Sequence, residues 1–290
     1  MIRYRMPRAE YDALPGEHWS TLKHVARSPA HYLHAISGED EDRDTDVLAF
    51  GRGLHLALLE PERYPLEVAV WNGGTRRGHA WDAFVALHAG RELLTGAQHQ
   101  RILEMAASVT GSHATFALLI GGNSEVSITW TDAATGLDCK ARLDYVCESS
   151  SALHSEGGII DIKTCRDASP DAFGRAVIRY GYHAQAALYT DGLAAVTLMG
   201  KPLPYSILAI ESSPPYVAQV YLIHHEALEL GREEYRRCLE RIAECRRAGT
   251  WPGYSEGPMD VQLPKWAWGA EDDIGALGLD LGEEPASERE

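Results

Sequence analysis

Apolar positions recur at helical spacing over the first 120 residues. After Asn123 they alternate with polar ones, dividing the chain into a helical part and a β-rich part. Residues 8–35 read as short helices around a turn, with Ser20 a plausible N-cap for TLKHVARS and Pro29 placed to open the next helix. VLAFGRGLHLALLE (47–60) predicts a helix that stops at Pro61. NGGTRRGH (72–79) reads as a Gly-rich loop with two adjacent arginines, and residues 81–119 as mostly helical.

The β-rich part opens with SEVSITW (124–130), a turn signal TDAATGLD (131–138) and KARLDYVCE (140–148). GGIIDIKT (157–164) follows, so three strands of an antiparallel meander are expected. Residues 168–198 read as helical, weakened by Gly174 and Gly181. YSILAIES (205–212) and YVAQVYLI (216–223) predict two strands around Pro214-Pro215, and 225–249 a helix with apolar residues at 228, 235, 239 and 242. The expected architecture is α/β: a mixed central sheet of about five strands flanked by helices, behind an N-terminal helical region. We expect one domain over 1–250, with 1–120 mostly helical and 121–250 carrying sheet and helices. Residues 251–290 read as a tail with three tryptophans and then acid, partly disordered.

Composition narrows the function classes. The chain is 45% hydrophobic and 24% charged, which excludes a disordered or collagenous protein. The 27 basic and 42 acidic side chains give a formal net charge of −15. The excess sits in two runs: EDEDRDTD (39–46), with six acids and one base, and residues 271–290, with eight acids and one arginine. The remainder is close to balance, so the charge does not exclude DNA as a partner. The five cysteines are odd in number and contain no CxxC pair, so incidental thiols in a reducing compartment are expected rather than a zinc or iron–sulfur site. There is no GxxxxGK loop, no GxGxxG and no HExxH. No window approaches a membrane span, and MIRYRMPRAE lacks the apolar core of a signal peptide, so a cytoplasmic protein is expected.

The informative chemistry lies in the second and third strands. Strict alternation groups Lys140, Arg142, Asp144 and Val146 on one face, and Ala141, Leu143, Tyr145 and Cys147 on the other. The same rule places Asp161 and Lys163 on one face of their strand. A carboxylate within an apolar strand is costly unless paired or metal-bound, and two on neighbouring strands repel unless a cation lies between them. Asp144 and Asp161 could meet in this way around a hard divalent ion such as Mg²⁺. The competing reading is a pair of internal ion pairs, Asp161–Lys163 and Asp144–Arg142, on a wet sheet face. From the residues alone that reading is the heavier.

ARLDYV followed by IIDIKT resembles the core of the PD-(D/E)XK nucleases. GRGLHLALLEPERY (51–64) is similar to the helix that carries an extra histidine in their RecB and RecE-like branch, and YHAQAALYTD (182–191) to its Q-x-x-x-Y helix. WSTLKHVARSPAHY (19–32) and GTRRGHAWDAF (74–84) further resemble the exodeoxyribonuclease VIII (RecE) nuclease domain of phages and prophages. The likeness runs from about residue 10 to 250 with its motifs in order. It implies a restriction-endonuclease-like core. Asp144 and Asp161 would be metal-binding acids, the Ile162 carbonyl and His55 would complete the metal shell, and Lys163 would position the attacking water. Gln185 and Tyr189 would steady the active site and touch DNA. Glu125 occupies the place of a strand-one acid found in this branch and is a possible additional acid.

The resemblance further implies a Mg²⁺-dependent exonuclease, with Mn²⁺ a possible substitute and without an iron–sulfur cluster or ATP. It would resect double-stranded DNA ends 5′ to 3′ as a homo-oligomeric ring and supply single strand to a phage-type annealing recombinase. Arg76 and Arg77, with Arg175 and Arg179 four residues apart, are candidates for holding DNA phosphate. The rival expectations are an endonuclease or single-strand-specific nuclease of the same fold, and a non-catalytic DNA-binding module.

Overall fold

The computed structural model describes residues 1–37, 46–147, 157–197, 200–255 and 257–263. Most of the acidic run (39–45) and the tail beyond residue 263, with Trp266, Trp268 and the second acidic stretch, lie outside the described residues. The chain divides into a unit Met1–Gly253 and a unit Tyr254–Glu290.

Strand β1 (Ile2–Arg3) is followed by helices α1 (Arg8–Ala13) and α2 (Trp19–Leu22), a 3-10 turn (Lys23–Ala26) and α3 (Pro29–Ile36). Next come α4 (Asp46–Leu59), α5 (Tyr64–Glu67), β2 (Val68–Trp71), α6 (His79–Leu87), β3 (Glu92–Thr95), α7 (Gly96–Gly111) and α8 (His113–Phe116). The β-rich part holds β4 (Gly122–Thr131), β5 (Asp138–Cys147), β6 (Gly158–Cys165), α9 (Pro170–Tyr180), α10 (Tyr182–Val196), β7 (Tyr205–Glu211), β8 (Ala218–Leu222) and α11 (His225–Ala248).

The central sheet has six strands in the order β1-β4-β5-β6-β7-β8. Every neighbouring pair is antiparallel except β6 and β7, which run parallel because α9 and α10 carry the chain across one face between them. This is a mixed sheet flanked by helices, of the restriction-endonuclease-like type. The sixth strand, β1, is too short to announce itself as a pattern.

On one face α4 and α7 pack over Tyr145, Cys147, Ile160, Ile162, Leu208 and Ile210. Helix α7 is started by a reciprocal capping box between Thr95 and Gln98. Gly53 lets α4 settle closely on Leu94 and Ile102, since a Cβ there would meet Ile102 at 2.9 Å. On the other face α10 is buried nearly all round, as its run of small residues permits, between the sheet and α11. Gly231 of α11 makes that crossing close: a Cβ there would lie 2.3 Å from the His183 carbonyl oxygen.

Three expectations need correction. Ser20 caps nothing: the helix starts at Trp19 behind His18, because Trp19 is drawn into the core, and the Ser20 hydroxyl bonds His18 Nδ1 instead at 2.7 Å. Pro29 does open its helix, behind the Ser28 cap. The stretch 81–119 is interrupted by β3, which pairs parallel with β2 in a separate two-stranded sheet. Four residues are too few for a period to reveal the strand. The third correction concerns β5. Ala141 and Leu143 pack with α10, whereas Tyr145 and Cys147 pack with α4 and α7. The strand changes face at Asp144. Opposite it in the register stands Glu125, which has a left-handed backbone (φ 52°) and drops out of the ladder. The bend therefore falls at the two acids.

Candidate active site

Strands β5 and β6 pair over only three positions, from Tyr145–Ile160 to Cys147–Gly158, and then part. Beyond that point the Ile162 amide has no ladder partner in β5. Asp144 supplies one: its Oδ2 accepts the Ile162 N–H at 2.7 Å. The other oxygen, Oδ1, faces His55 Nδ1 of α4 at 3.5 Å, and His55 lies 4.0 Å from Glu125 Oε1. One donor atom from each of His55, Glu125 and Asp144 falls within 4.8 Å of the other two. Three elements thus converge: α4, β4 at its kink, and β5 at the parting of the strands.

Asp161 and Lys163 project from β6 beside this cluster. Lys163 Nζ lies 2.6 Å from Asp161 Oδ2, and Gln185 Nε2 of α10 donates to Asp161 Oδ1 at 3.1 Å. Tyr189, one turn further along α10, hydrogen-bonds the Gln185 side chain and lies within reach of the charges of Asp161 and Asp144. Burial is the main reason its phenol is pushed well above the ordinary range. Burial works against the Lys163 ammonium too, but Asp161 and Asp144 outweigh it and hold its pKa above the usual lysine value. Asp144 is pushed up to about 6, first by burial and then by Asp161 and Glu125, with His55 and Lys163 opposing. His55, Glu125 and Asp144 each offer one ligand atom, a set that could hold a divalent cation.

The structure brings together His55, Glu125 and Asp144, and beside them Asp161, Lys163, Gln185 and Tyr189. The grouping differs in one respect from the sequence expectation. Glu125 rather than Asp161 completes the cluster around Asp144, and Asp161 is held in the ion pair with Lys163. Ile162 lies at the centre through its backbone, with its amide engaged by Asp144. The internal pair Asp144–Arg142 does not form: Arg142 Nε binds Glu125 Oε2.

The arginines separate into two groups. Arg76 is a scaffold residue: it binds Asp46, the Leu93 carbonyl at 3.1 Å and Gln98 Oε1 at 2.9 Å, and stacks on Trp81. Arg77, Arg175 and Arg179 are exposed.

Three residues around the acids carry no local sequence signal of a site. Arg142 orients Glu125. Tyr11 of α1 covers Arg142, with the guanidinium carbon 5.8 Å from the ring centre. Tyr205, at the start of β7, turns a fully buried hydroxyl toward Asp161; burial first, and then the Asp161 charge, push its phenol well above the ordinary range. Only the parallel crossover places Tyr205 beside β6, so no motif could have pointed to it. Lys140, grouped with Asp144 by alternation, is also structural: its ammonium donates to the carbonyls of Tyr11, Asp12 and Leu14 at 3.2, 3.0 and 2.6 Å and closes the end of α1.

A six-stranded mixed sheet that parts at an acid, with a D-x-K strand beside it and a histidine from a flanking helix, defines a nuclease of the PD-(D/E)XK type. The chain belongs to the family described as PDDEXK-like domain of unknown function (DUF3799), whose model matches residues 19–260. Nucleases of this type generally use divalent metals and act on DNA. The fold is similar to that of a crystal structure from Eubacterium rectale named "Putative exonuclease", with a TM-score of 0.58. The two are 15% identical, and the likeness covers 87% of this chain and 92% of the other. No curated protein matches the sequence. Among the described residues, no single helix is long and apolar enough to cross a membrane.

Proposed function

We propose that the chain is a Mg²⁺-dependent exodeoxyribonuclease that hydrolyses phosphodiester bonds from the ends of duplex DNA. The observation that carries this reading is the His55–Glu125–Asp144 cluster beside the Lys163–Asp161 pair. An imidazole nitrogen and two carboxylates, beside the Ile162 backbone that Asp144 holds, suit Mg²⁺ or Mn²⁺. A cation held there would supply Lewis acidity and a water acidic enough to attack at neutral pH. Asp161 lies beside this set and would complete the coordination once Lys163 engages phosphate.

The remaining work belongs to this chain's side chains. Lys163 neutralises charge on the attacked phosphate and orients the attacking water. Gln185 keeps Asp161 in place, and Tyr189 hydrogen-bonds Gln185. Water attacks phosphorus in line and the bond to the 3′ oxygen breaks, leaving a 5′-phosphate and a 3′-hydroxyl. No covalent enzyme intermediate is required. Arg77, Arg175 and Arg179 hold backbone phosphate. The end dependence, 5′ to 3′ polarity, ring assembly and delivery of single strand to an annealing recombinase rest on the resemblance to exodeoxyribonuclease VIII. The name of the Eubacterium rectale structure agrees with an exonuclease. We take residues 1–250 to act as one catalytic domain.

The test is cleavage of linear duplex, closed circular duplex and single-stranded DNA with Mg²⁺, Mn²⁺ or EDTA. Metal-dependent loss of the linear duplex alone, abolished by Asp161→Asn, is expected. Cutting of closed circles would turn the reading to an endonuclease. DNA binding without turnover under any metal would turn it to a non-catalytic module.

A further inference from the structure

Beyond Lys163 lies an open cavity of about 600 Å³ between the end of β6 and helix α9. Arg166, Arg175 and Arg179 line it, against one acid, Asp167. All three arginines are exposed, and none forms a salt bridge among the described residues. Asp167 is occupied by the Ser169 amide at 2.8 Å. The floor is aromatic: Tyr180 and Tyr182 lie 5.6 Å apart at 30°. Lys163 Nζ sits 5.1 Å from the Tyr182 ring centre, and the Arg179 guanidinium 5.6 Å from that of Tyr180. Outward from the candidate active site the order is thus Lys163, Tyr182, Tyr180 and Arg179, two neighbouring rings with a cation at each end.

The helix break explains this arrangement. Residues two apart in a continuous helix point to nearly opposite sides. Gly181 takes a left-handed conformation (φ 67°) between α9 and α10, and so sets Tyr180 and Tyr182 side by side. Gly181 also lies against Trp19, where a Cβ would approach Cζ2 to 2.4 Å.

We propose that this groove binds a single-stranded stretch of nucleic acid leading to or from the scissile phosphate. The bases stack on Tyr180 and Tyr182, and the phosphates are held by Arg166, Arg175 and Arg179. The proposal rests on the nuclease reading of the adjoining site and adds the form of the substrate there. Exposed guanidinium groups next to the exposed Tyr180 ring and the half-buried Tyr182 match an unpaired strand, which offers both phosphate and base faces. A duplex keeps its base faces stacked away.

The experiment is binding of the full chain to a fluorescent 12-nucleotide thymidine strand and to an abasic strand of equal length, by anisotropy in EDTA. The wild type should hold the thymidine strand about tenfold more tightly than the abasic one. Tyr180→Ala should erase that difference, and Tyr180→Trp should keep it. Arg175→Glu with Arg179→Glu should weaken both strands and flatten the slope of log affinity against log salt by about 1.4, at ~0.7 per contact. Tyr180 is 52% exposed, so these changes leave the core untouched. Equal affinity for the two strands, or affinities indifferent to all three variants, would overturn the groove even if the wild type cuts DNA. A wild type that shows the expected binding pattern but never cuts with Mg²⁺ or Mn²⁺ supports the groove while removing the nuclease reading.

Discussion

Asp144 takes the Ile162 amide at 2.7 Å at the point where β5 and β6 separate, so one carboxylate oxygen serves the backbone and the other turns to His55. The acid is thereby both a substitute for a ladder bond and a member of the cluster with Glu125 and His55. Asp144→Asn keeps a hydrogen-bond acceptor for Ile162 but removes the charge. We expect Asp144→Asn and Glu125→Gln each to weaken Mn²⁺ binding at least 10- to 100-fold, measured by calorimetry, while the fold survives. His55→Gln should weaken it in the same direction. Undiminished binding in both acid variants would place the cation elsewhere.

Lys163 and Asp161 form a largely buried pair, so each leaves the other stranded when removed. Lys163→Met should lower cleavage about 10²–10³-fold and cost on the order of 3 kcal/mol of stability. Asp161→Asn combined with Lys163→Met should recover much of the stability and none of the activity. Denaturant unfolding read beside turnover separates the two effects. Recovery of turnover in the double variant would remove both residues from the chemistry.

Gly181 joins α9 to α10 in a left-handed conformation with Trp19 against it. Gly181→Ala should cost about 1–3 kcal/mol, seen as a lowered denaturant midpoint. Gly174, which has open space around it, should accept alanine without loss.

Arg76 and Arg77 are neighbours with different surroundings. Arg76→Ala removes bonds to β3 and the start of α7 and should lower stability by about 1–3 kcal/mol. Arg77→Ala should stay within about 0.5 kcal/mol of wild type. Arg77→Glu is expected to weaken DNA binding in proportion to salt sensitivity, so a titration at two salt concentrations checks it.

His183 Nε2 lies 3.1 Å from Glu234, and that bond raises its pKa above the ordinary value despite burial. A histidine whose folded pKa is raised adds stability that is fully present below its unfolded value, about 6.5, and is lost as pH rises through the folded one. Melting temperature should therefore fall by roughly 2–4 °C from pH 6 to pH 9. The fall should be smaller in Glu234→Gln, where the proton gains no partner. An equal fall in both proteins would assign the pH dependence to other groups.

Much of the architecture follows from local pattern. The three meander strands, the two strands around Pro214-Pro215 and the helix ended by Pro61 are all written in period and proline, whereas the break at Gly181 splits a stretch that reads as one helix. Such signals act over a few residues, where backbone propensity and side-chain alternation decide the outcome. The pairing of Asp161 with Lys163 on one face is of this kind, since two residues apart in a strand must point the same way.

What pattern could not supply is every relation set by contact between distant segments. Alternation puts Ala141 and Tyr145 on one face of β5, but the left-handed Glu125 in the partner strand turns them to opposite layers. That turn, together with the arrival of His55 on α4, makes Glu125 rather than Asp161 the third member of the cluster with Asp144. Arg76 reads as a free cation in a glycine-rich loop, and its capture by Gln98 and the Leu93 carbonyl depends on the fold of β3, which no period announces. Tyr205 reaches Asp161 only through a parallel crossover. The sequence by itself determined which residues bear charge and which local conformations they adopt. Which charges face one another was decided by packing, because the energy of two charges depends on their separation and their shared burial, and neither exists until the sheet and its helices have closed together.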